Sequence, residues 1–147
     1  MVSKIFIVSG ASGGIAQSIL TSLADRGEVY GLSRKNQTNH TCANIHFVRT
    51  DLRYPDKIQK SLKTINLEDK QIILMHMAAF TVDRLLVNYT ESEISEIFST
   101  NLLSCFTLVK ELLPFMITQK WGRIITFSSI ASELPGRGVS AYSASKM

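Results

Sequence analysis

The chain has 147 residues, 45% of them hydrophobic and 19% charged, with a formal net charge of +4. That composition suits one globular domain with a core of its own and excludes disordered, collagen-like and coiled-coil chains. The basic residues are spread rather than clustered with aromatics, so a small anionic ligand accounts for the charge and no nucleic-acid partner is expected. The two cysteines, Cys42 and Cys105, form no C-x-x-C pair, and His40, His46 and His76 are scattered. Neither a disulfide framework nor a metal site is expected from such spacing. The apolar stretches fall short of the roughly 20 residues a membrane span needs, and no basic segment with an apolar core and cleavage site opens the chain. The expectation is a cytoplasmic protein with no membrane partner.

In chain order, Lys4 to Val8 is a nearly continuous apolar run that suits a strand buried on both faces. Ile15, Ile19, Leu20 and Leu23 then repeat at helical spacing, with Gly27 as the expected C-terminal cap. Glu28 to Ser33 reads as a second strand, Asn44 to Val48 as a third, Asp56 to Thr64 as a helix and Gln71 to Met77 as a fourth strand. A long helix follows, with Ile94, Ile97, Phe98, Cys105, Val109, Leu112 and Met116 on one stripe and Pro114 in its last turns. Gly122 to Ser129 reads as a fifth strand, and a loop with Pro135, Gly136 and Gly138 leads to a helix beginning near Ser140. Strands alternating with helices predict a parallel, doubly wound sheet of Rossmann type, with three α/β/α layers and ligands beyond the carboxyl ends of the strands.

The run "SGASGGIA", Ser9 to Ala16, lies where the first strand hands over to the first helix. Bare N–H groups and the positive end of a helix dipole there favour an anion such as phosphate. The run matches neither G-x-x-x-x-G-K-[ST] nor G-x-G-x-x-G; it reads Gly10-x-x-x-Gly14-x-Ala16, a pattern that a flexible turn also satisfies. At the end of the second strand a site for NAD would offer an acid to the ribose 2′-hydroxyl. This chain has Ser33-Arg34-Lys35, which suits a 2′-phosphate and equally a solvated basic turn. Asp51 suits either the adenine amino group or a turn cap.

Tyr142 and Lys146 are four residues apart, on one face of a helix. An ammonium about 4 Å from the phenol would favour the phenolate by roughly 4 kcal/mol at an effective dielectric near 20. Ser129, expected at the end of the fifth strand, would sit on the same sheet edge as the glycine loop and stabilise an oxyanion. Asn101, on the apolar stripe of the long helix, needs hydrogen bonds, and so serves either a helix distortion or a site. Each of these also has a plain structural explanation: a surface pair, turn residues, a satisfied core amide.

Taken together, "SGASGGIA", "TDL", "STNLLSCF", "GRIITFSS" and "YSASK", with spacings of 28, 13 and 4 residues along Asn101, Ser129, Tyr142 and Lys146, resemble the short-chain dehydrogenase/reductase family over the whole chain. "TVDRLL" and "GRIITFSSIAS" look most like its 3-oxoacyl-[acyl-carrier-protein] reductase branch. The resemblance implies an oxidoreductase that reduces a carbonyl to an alcohol, and Ser33-Arg34 in place of the ribose-binding acid sets the expectation of NADP(H) rather than NAD(H). It implies Tyr142 as general acid/base, Lys146 lowering its pKa and holding the nicotinamide ribose, Ser129 polarising the carbonyl and Asn101 in a proton relay. Gly10, Ser12, Gly13, Gly14, Ile15, Ser33, Arg34, Asp51, Leu52 and Ala78 would line the cofactor with Tyr142 and Lys146. Three departures stand out: Ala16 replaces a glycine, His76-Met77-Ala78-Ala79 replaces Asn-Asn-Ala-Gly, and members run to roughly 250 residues as a single domain. Residues 1–147 are therefore read as the N-terminal part of a longer single-domain homodimer or homotetramer, with the isolated chain expected to be inactive. The alternatives are a non-catalytic dinucleotide-binding protein or sensor, and a sugar-nucleotide epimerase or dehydratase.

Overall fold

The computed structural model describes residues 3–35, 42–134 and 136–147; His40 and Pro135 lie outside them. The apolar runs form five parallel strands, β1 (Lys4–Ser9), β2 (Glu28–Ser33), β3 (Ile45–Arg49), β4 (Gln71–His76) and β5 (Gly122–Thr126). Their order is β3-β2-β1-β4-β5. The chain winds outward from β1 to β3, then returns to the other side of β1 for β4 and β5. The reversal between β1 and β4 opens a crevice at their carboxyl ends, where such sheets take ligands. Register is continuous across it, with Val8 opposite Met75 and Ser9 opposite His76.

The pleat sends alternate residues to opposite faces. Ile5, Ile7, Ile72 and Leu74 face one cluster with Ile58 and Leu62 of helix α2 (Pro55–Leu62) and Leu108, Leu112 and Met116 of helix α4 (Ser104–Thr118). Phe6, Val8, Val29, Ile73 and Met75 face the other, with Ala16, Leu20 and Ala24 of helix α1 (Gly14–Ala24). These two cores give the expected three layers.

Gly27 does not cap α1. The helix ends at Ala24 with Asp25 as its C-cap. Gly27 is instead required by a close approach, since a Cβ there would lie 2.4 Å from the Lys4 carbonyl oxygen. Strand β5 also ends earlier than expected, at Thr126, because its ladder partner His76 is the last residue of β4.

The long helix differs from its periodic reading at one place. Helix α3 (Glu91–Phe98) and α4 are joined by a π-helical segment, Ser99–Leu103. A π turn inserts a residue into the 3.6-residue repeat. The buried stripe accordingly runs Ile97, Asn101, Ser104, Leu108, Leu112 and Met116, while Ile94, Phe98, Cys105 and Val109 are only half-buried. Thr90 starts this helical stretch with a capping box, its hydroxyl accepting from the Glu93 N–H and the Glu93 carboxylate accepting from the Thr90 N–H. Pro114 is accommodated inside α4. Contrary to the sequence expectation, the stretch Glu91–Thr118 is long and apolar enough, by length and composition, to cross a membrane. One stripe of it, with Leu108, Leu112 and Met116, packs in the core with the sheet and α2.

Candidate functional site

The carboxyl ends of β1, β2, β3 and β4, with the start of α1 and the short helix α5 (Ser140–Ser145), enclose a cleft of about 400 Å³. The glycine loop forms its floor. Gly10 has φ +73°, and a Cβ there would lie 2.6 Å from the Ala78 Cα, so only glycine fits between β1 and the end of β4. Its N–H donates to the Leu32 carbonyl at 2.9 Å, and that of Ala11 to the same oxygen at 3.2 Å. These two donors therefore anchor the loop to β2. The start of α1 has no side-chain cap, and a Cβ on Gly14 would meet nothing within 4 Å. A first turn with no side-chain cap and open space beside Gly14 is an arrangement that suits an anion. Ser12, Gly13, Gly14 and Ile15 all line the cleft, Ile15 with 73% of its surface exposed. Ala16 is buried against the sheet, as close helix packing requires.

At the next strand ends, Ser33, Arg34, Lys35, Thr50, Asp51 and Leu52 line the same cleft. The Ser33 hydroxyl donates to the Lys35 carbonyl at 2.7 Å and shapes the turn that presents Arg34. Asp51 is held by Arg53, whose Nε and Nη2 donate to its two carboxylate oxygens at 2.9 and 2.7 Å. That guanidinium holds the Asp51 carboxyl below its ordinary pKa. The Arg53 N–H also donates to Asp51 Oδ1 at 3.2 Å, so Asp51 both lines the cleft and caps a turn. Glu96 of α3 reaches Arg53 at 3.0 Å and Arg34 at 3.4 Å.

Beyond β4, Met77, Ala78 and Ala79 form the wall, with Ala79 exposed to the cleft. Tyr142 and Lys146 face them. Lys146 follows directly on α5 and lines the cleft together with Tyr142. Helix α5 ends at Ser145, Lys146 is its C-cap, and the buried Nζ donates to the Phe127 carbonyl at 2.9 Å. Burial pushes its ammonium below its ordinary pKa. The loop before α5 is tethered by the Arg84 N–H, which donates to the Gly138 carbonyl at 2.9 Å, and by the Tyr89 hydroxyl on the same oxygen at 3.1 Å.

Two predicted residues stand behind the cleft rather than in it. Asn101 lies in the π segment and is buried, its amide donating to the Phe80 carbonyl at 3.0 Å and to Ser145 Oγ at 2.8 Å. Its Oδ1 accepts from the Phe80 N–H at 2.7 Å. Ser145 Oγ in turn donates to the Tyr142 carbonyl at 2.7 Å, so Asn101 braces α5. Ser129 lies beyond β5, not at its end, and its Oγ accepts from the Ala131 N–H at 3.2 Å, which caps a short 3₁₀ turn. Its neighbour Ser128 lines the cleft and donates to the Lys146 carbonyl at 2.9 Å. Thr100, Phe127 and Leu32 complete the lining without having been singled out in the sequence. Thr100 and Phe127 lie inside the runs "STNLLSCF" and "GRIITFSS", but neither residue has a side-chain chemistry that marks it as a site residue there.

A family model described as short chain dehydrogenase matches residues 4–147. The chain is 33% identical over 150 residues to the 3-oxoacyl-[acyl-carrier-protein] reductase FabG of Escherichia coli strain K12, covering 97% of this chain and 62% of that protein. It is 30% identical over 147 residues to dehydrogenase RED2 of Cochliobolus heterostrophus, covering 97% and 56%. It thus spans about three fifths of the length of these curated relatives. Among solved structures, a short-chain dehydrogenase from Streptomyces avermitilis superposes with a TM-score of 0.89 at 24% identity, over 99% of this chain and 56% of that one. A 4-hydroxyisoleucine dehydrogenase complexed with NADH gives 0.86 at 23%, over 97% and 63%. These two likenesses establish the shared fold, and the matched family model extends it to kinship: the chain belongs to the short-chain dehydrogenase/reductase family.

Proposed function

We propose that this chain forms the cofactor-binding and catalytic part of a cytoplasmic, NADPH-dependent reductase that converts a small-molecule carbonyl, such as a 3-oxoacyl thioester, to an alcohol. The observation that carries the reading is the single cleft shared by the uncapped start of α1, the Arg34 turn and the Tyr142–Lys146 end of α5. The close-packed Gly10 and the open space over Gly14 suit the approach of a pyrophosphate to the start of α1. The pyrophosphate would lie on the first turn of α1, the 2′-phosphate against Arg34, and the nicotinamide end toward Tyr142. Bound there, the dihydronicotinamide supplies a hydride to the carbonyl carbon. Tyr142 gives its phenolic proton to the carbonyl oxygen, and Lys146, held by the Phe127 carbonyl, stabilises the phenolate left behind. Ser129 polarises the same oxygen once its hydroxyl turns from the Ala131 N–H, and Asn101 keeps α5 in place.

The full-length protein is proposed to be a single-domain homodimer or homotetramer of which this is the N-terminal part. The coverage of about three fifths of its relatives supports the first half of that reading. Exposed Leu102, Leu103, Phe106, Leu113 and Ile117 on the long helix support the second.

The decisive experiment is Tyr142→Phe in the full-length protein, assayed for NADPH oxidation with a 3-oxoacyl thioester. Turnover falls by more than about tenfold, over 1.4 kcal/mol of barrier, while NADPH affinity persists. A variant that keeps the wild-type rate rejects Tyr142 as proton donor. Ser129, whose hydroxyl is engaged by its own turn, favours one second reading, a non-catalytic dinucleotide-binding protein. Wild-type protein that binds NADPH and turns over no carbonyl would establish it.

A further inference from the structure

His76 is buried at the end of β4, outside the lining of the cleft. Its Nδ1 lies 2.8 Å from Ser9 Oγ, and its Nε2 lies 3.2 Å from the backbone carbonyl oxygen of Asn101. A carbonyl oxygen only accepts, so the proton sits on Nε2 and Nδ1 is the acceptor. The Ser9 hydroxyl therefore donates to Nδ1, while its oxygen accepts from the Ala78 N–H at 3.3 Å. One imidazole tautomer satisfies every partner. Burial reinforces this by pushing the His76 pKa down to about 4, with the nearby Lys146 charge acting in the same direction. The path does not stop at Asn101, whose amide donates to Ser145, which donates to the Tyr142 carbonyl. A run of bonds joins the strand that carries the glycine loop to the helix that carries Tyr142, and His76 is its middle link.

We propose that His76 is a positioning residue: a neutral imidazole of fixed tautomer that locks the π segment at Asn101 to the end of β1 and so holds Tyr142 in register with the dinucleotide cleft. An asparagine side chain is too short to span from Ser9 to the Asn101 backbone in this way; the imidazole places an acceptor and a donor at opposite ends of a rigid ring. The π segment gives the lock its purpose. Its extra residue interrupts the 3.6-residue repeat at Asn101, and His76 gives the Asn101 carbonyl a donor from the end of β4. The consequence for turnover rests on the reductase reading above, whereas the hydrogen-bond arrangement does not.

The test has two arms. In the ¹⁵N-labelled chain, long-range ¹H–¹⁵N spectra of His76 are expected to show a protonated Nε2 and an unprotonated Nδ1 whose shifts stay constant from pH 8 to pH 5.5. Averaged shifts, or a titration midpoint near the 6.5 of a free histidine, would overturn the proposal. In the full-length protein, His76→Leu fills similar volume without either polar atom. Misplacement of Tyr142 should then lower kcat by roughly 10²-fold with little change in NADPH affinity. His76→Gln, which keeps a donor toward the Asn101 carbonyl, should recover most of that loss, a rescue that mere core packing does not predict. Unchanged kcat in His76→Leu, or Gln no better than Leu, sinks it. Should His76→Leu fail to fold, Ser9→Ala tests the same path from its other end, with kcat lower by about 2- to 10-fold for one lost hydrogen bond; wild-type kcat there counts against the proposal. If the wild-type protein turns over no carbonyl, the reductase reading fails and the spectra alone decide the role of His76.

Discussion

Strands β1 and β5 belong to one sheet, separated only by β4, yet they live in different environments. Ile5, Ile7 and Val8 of β1 are fully buried, whereas Ile124 and Ile125 of β5 are 43% and 41% exposed. The first strand has neighbours on both edges and helices over both faces, and it ends in the glycine loop. The second has β4 on one edge and no strand partner on the other among the described residues. The difference divides the site. The half proposed to hold the dinucleotide, carried by β1, β2 and β4, rests on a closed core. The half proposed to carry the chemistry, on β5 and α5, rests on hydrogen bonds such as those of Asn101, Ser128 and Lys146.

The largest blow to the closed half is Gly10→Ala. The new methyl group meets backbone atoms of Ala78 at 2.6 and 2.7 Å, and the residue has φ +73°. Strain and overpacking together cost roughly 2–6 kcal/mol, since neither neighbour is a flexible side chain. Denaturant unfolding should show that loss, with NADPH binding lost alongside it. A variant of wild-type stability would mean that β1 and β4 are less tightly joined than their register indicates.

A matched pair of substitutions sharpens the contrast directly. Ile7→Ala leaves a cavity in a filled core and should cost about 2–5 kcal/mol. Ile125→Ala removes a side chain already half in water and should cost about 1 kcal/mol or less, in line with the area it buries. Equal costs in chemical denaturation would erase the distinction between the two strands. An open strand edge also invites pairing with other chains, so Ile125→Lys should lower any concentration-dependent association of the chain, read by light scattering.

Most of the closed half was legible in the sequence, and for a physical reason. Strands buried on both faces show as apolar runs, and a loop that must leave room for backbone shows as glycines; hence β2 has the bounds its sequence predicts, and the residues named from Gly10 to Leu52 come together on one cleft. The open half was less legible because its features depend on contacts between elements. The π segment at Ser99–Leu103 is invisible to a 3.6-residue pattern; Asn101 lies on the buried stripe as its spacing predicts, but beyond it the stripe moves from Cys105 and Val109 to Ser104 and Leu108. The early end of β5 depends on where β4 stops, so Ser129 left the strand for a turn. Lys146 lines the cleft with Tyr142, but as the C-cap of α5, which closes at Ser145, and its bond to the Phe127 carbonyl is a contact between elements that spacing does not show. In the sequence His76 stands only where the family has an asparagine; its partnership with Ser9 and Asn101 exists only in the fold.

His76 also ties the comparison to pH. Its folded pKa, pushed down to about 4, lies below the 6.5 of the unfolded chain. Between those values the unfolded state binds a proton that the folded state refuses, so stability is whole above about pH 6.5 and falls as the pH drops toward 4. The loss amounts to about 3 kcal/mol. Urea unfolding of wild type and His76→Gln at pH 7.5 and 4.5 should show the wild type losing more on acidification. Parallel losses in the two proteins would place the acid sensitivity elsewhere.

The smallest effect belongs to the rim of the dinucleotide half, where the Arg34 side chain is 55% exposed and lies 3.4 Å from Glu96. A guanidinium on a 2′-phosphate makes charge-assisted hydrogen bonds, but here solvent screens them and Glu96 competes for the same group. Arg34→Ala should therefore weaken NADPH by only about 3- to 10-fold, in line with one exposed charged hydrogen bond, and should leave NADH nearly unchanged. Glu96→Gln tests the competition from the other side. With its negative charge gone, Arg34 and Arg53 both lose a partner at 3.4 and 3.0 Å, and affinity for NADPH should rise while that for NADH stays level. Fluorescence titration of both cofactors at two salt concentrations reads all of this, the gap between them narrowing at high salt. Equal affinity of the wild type for NADPH and NADH would remove the 2′-phosphate from the Arg34 turn and leave that turn as a solvated strand end.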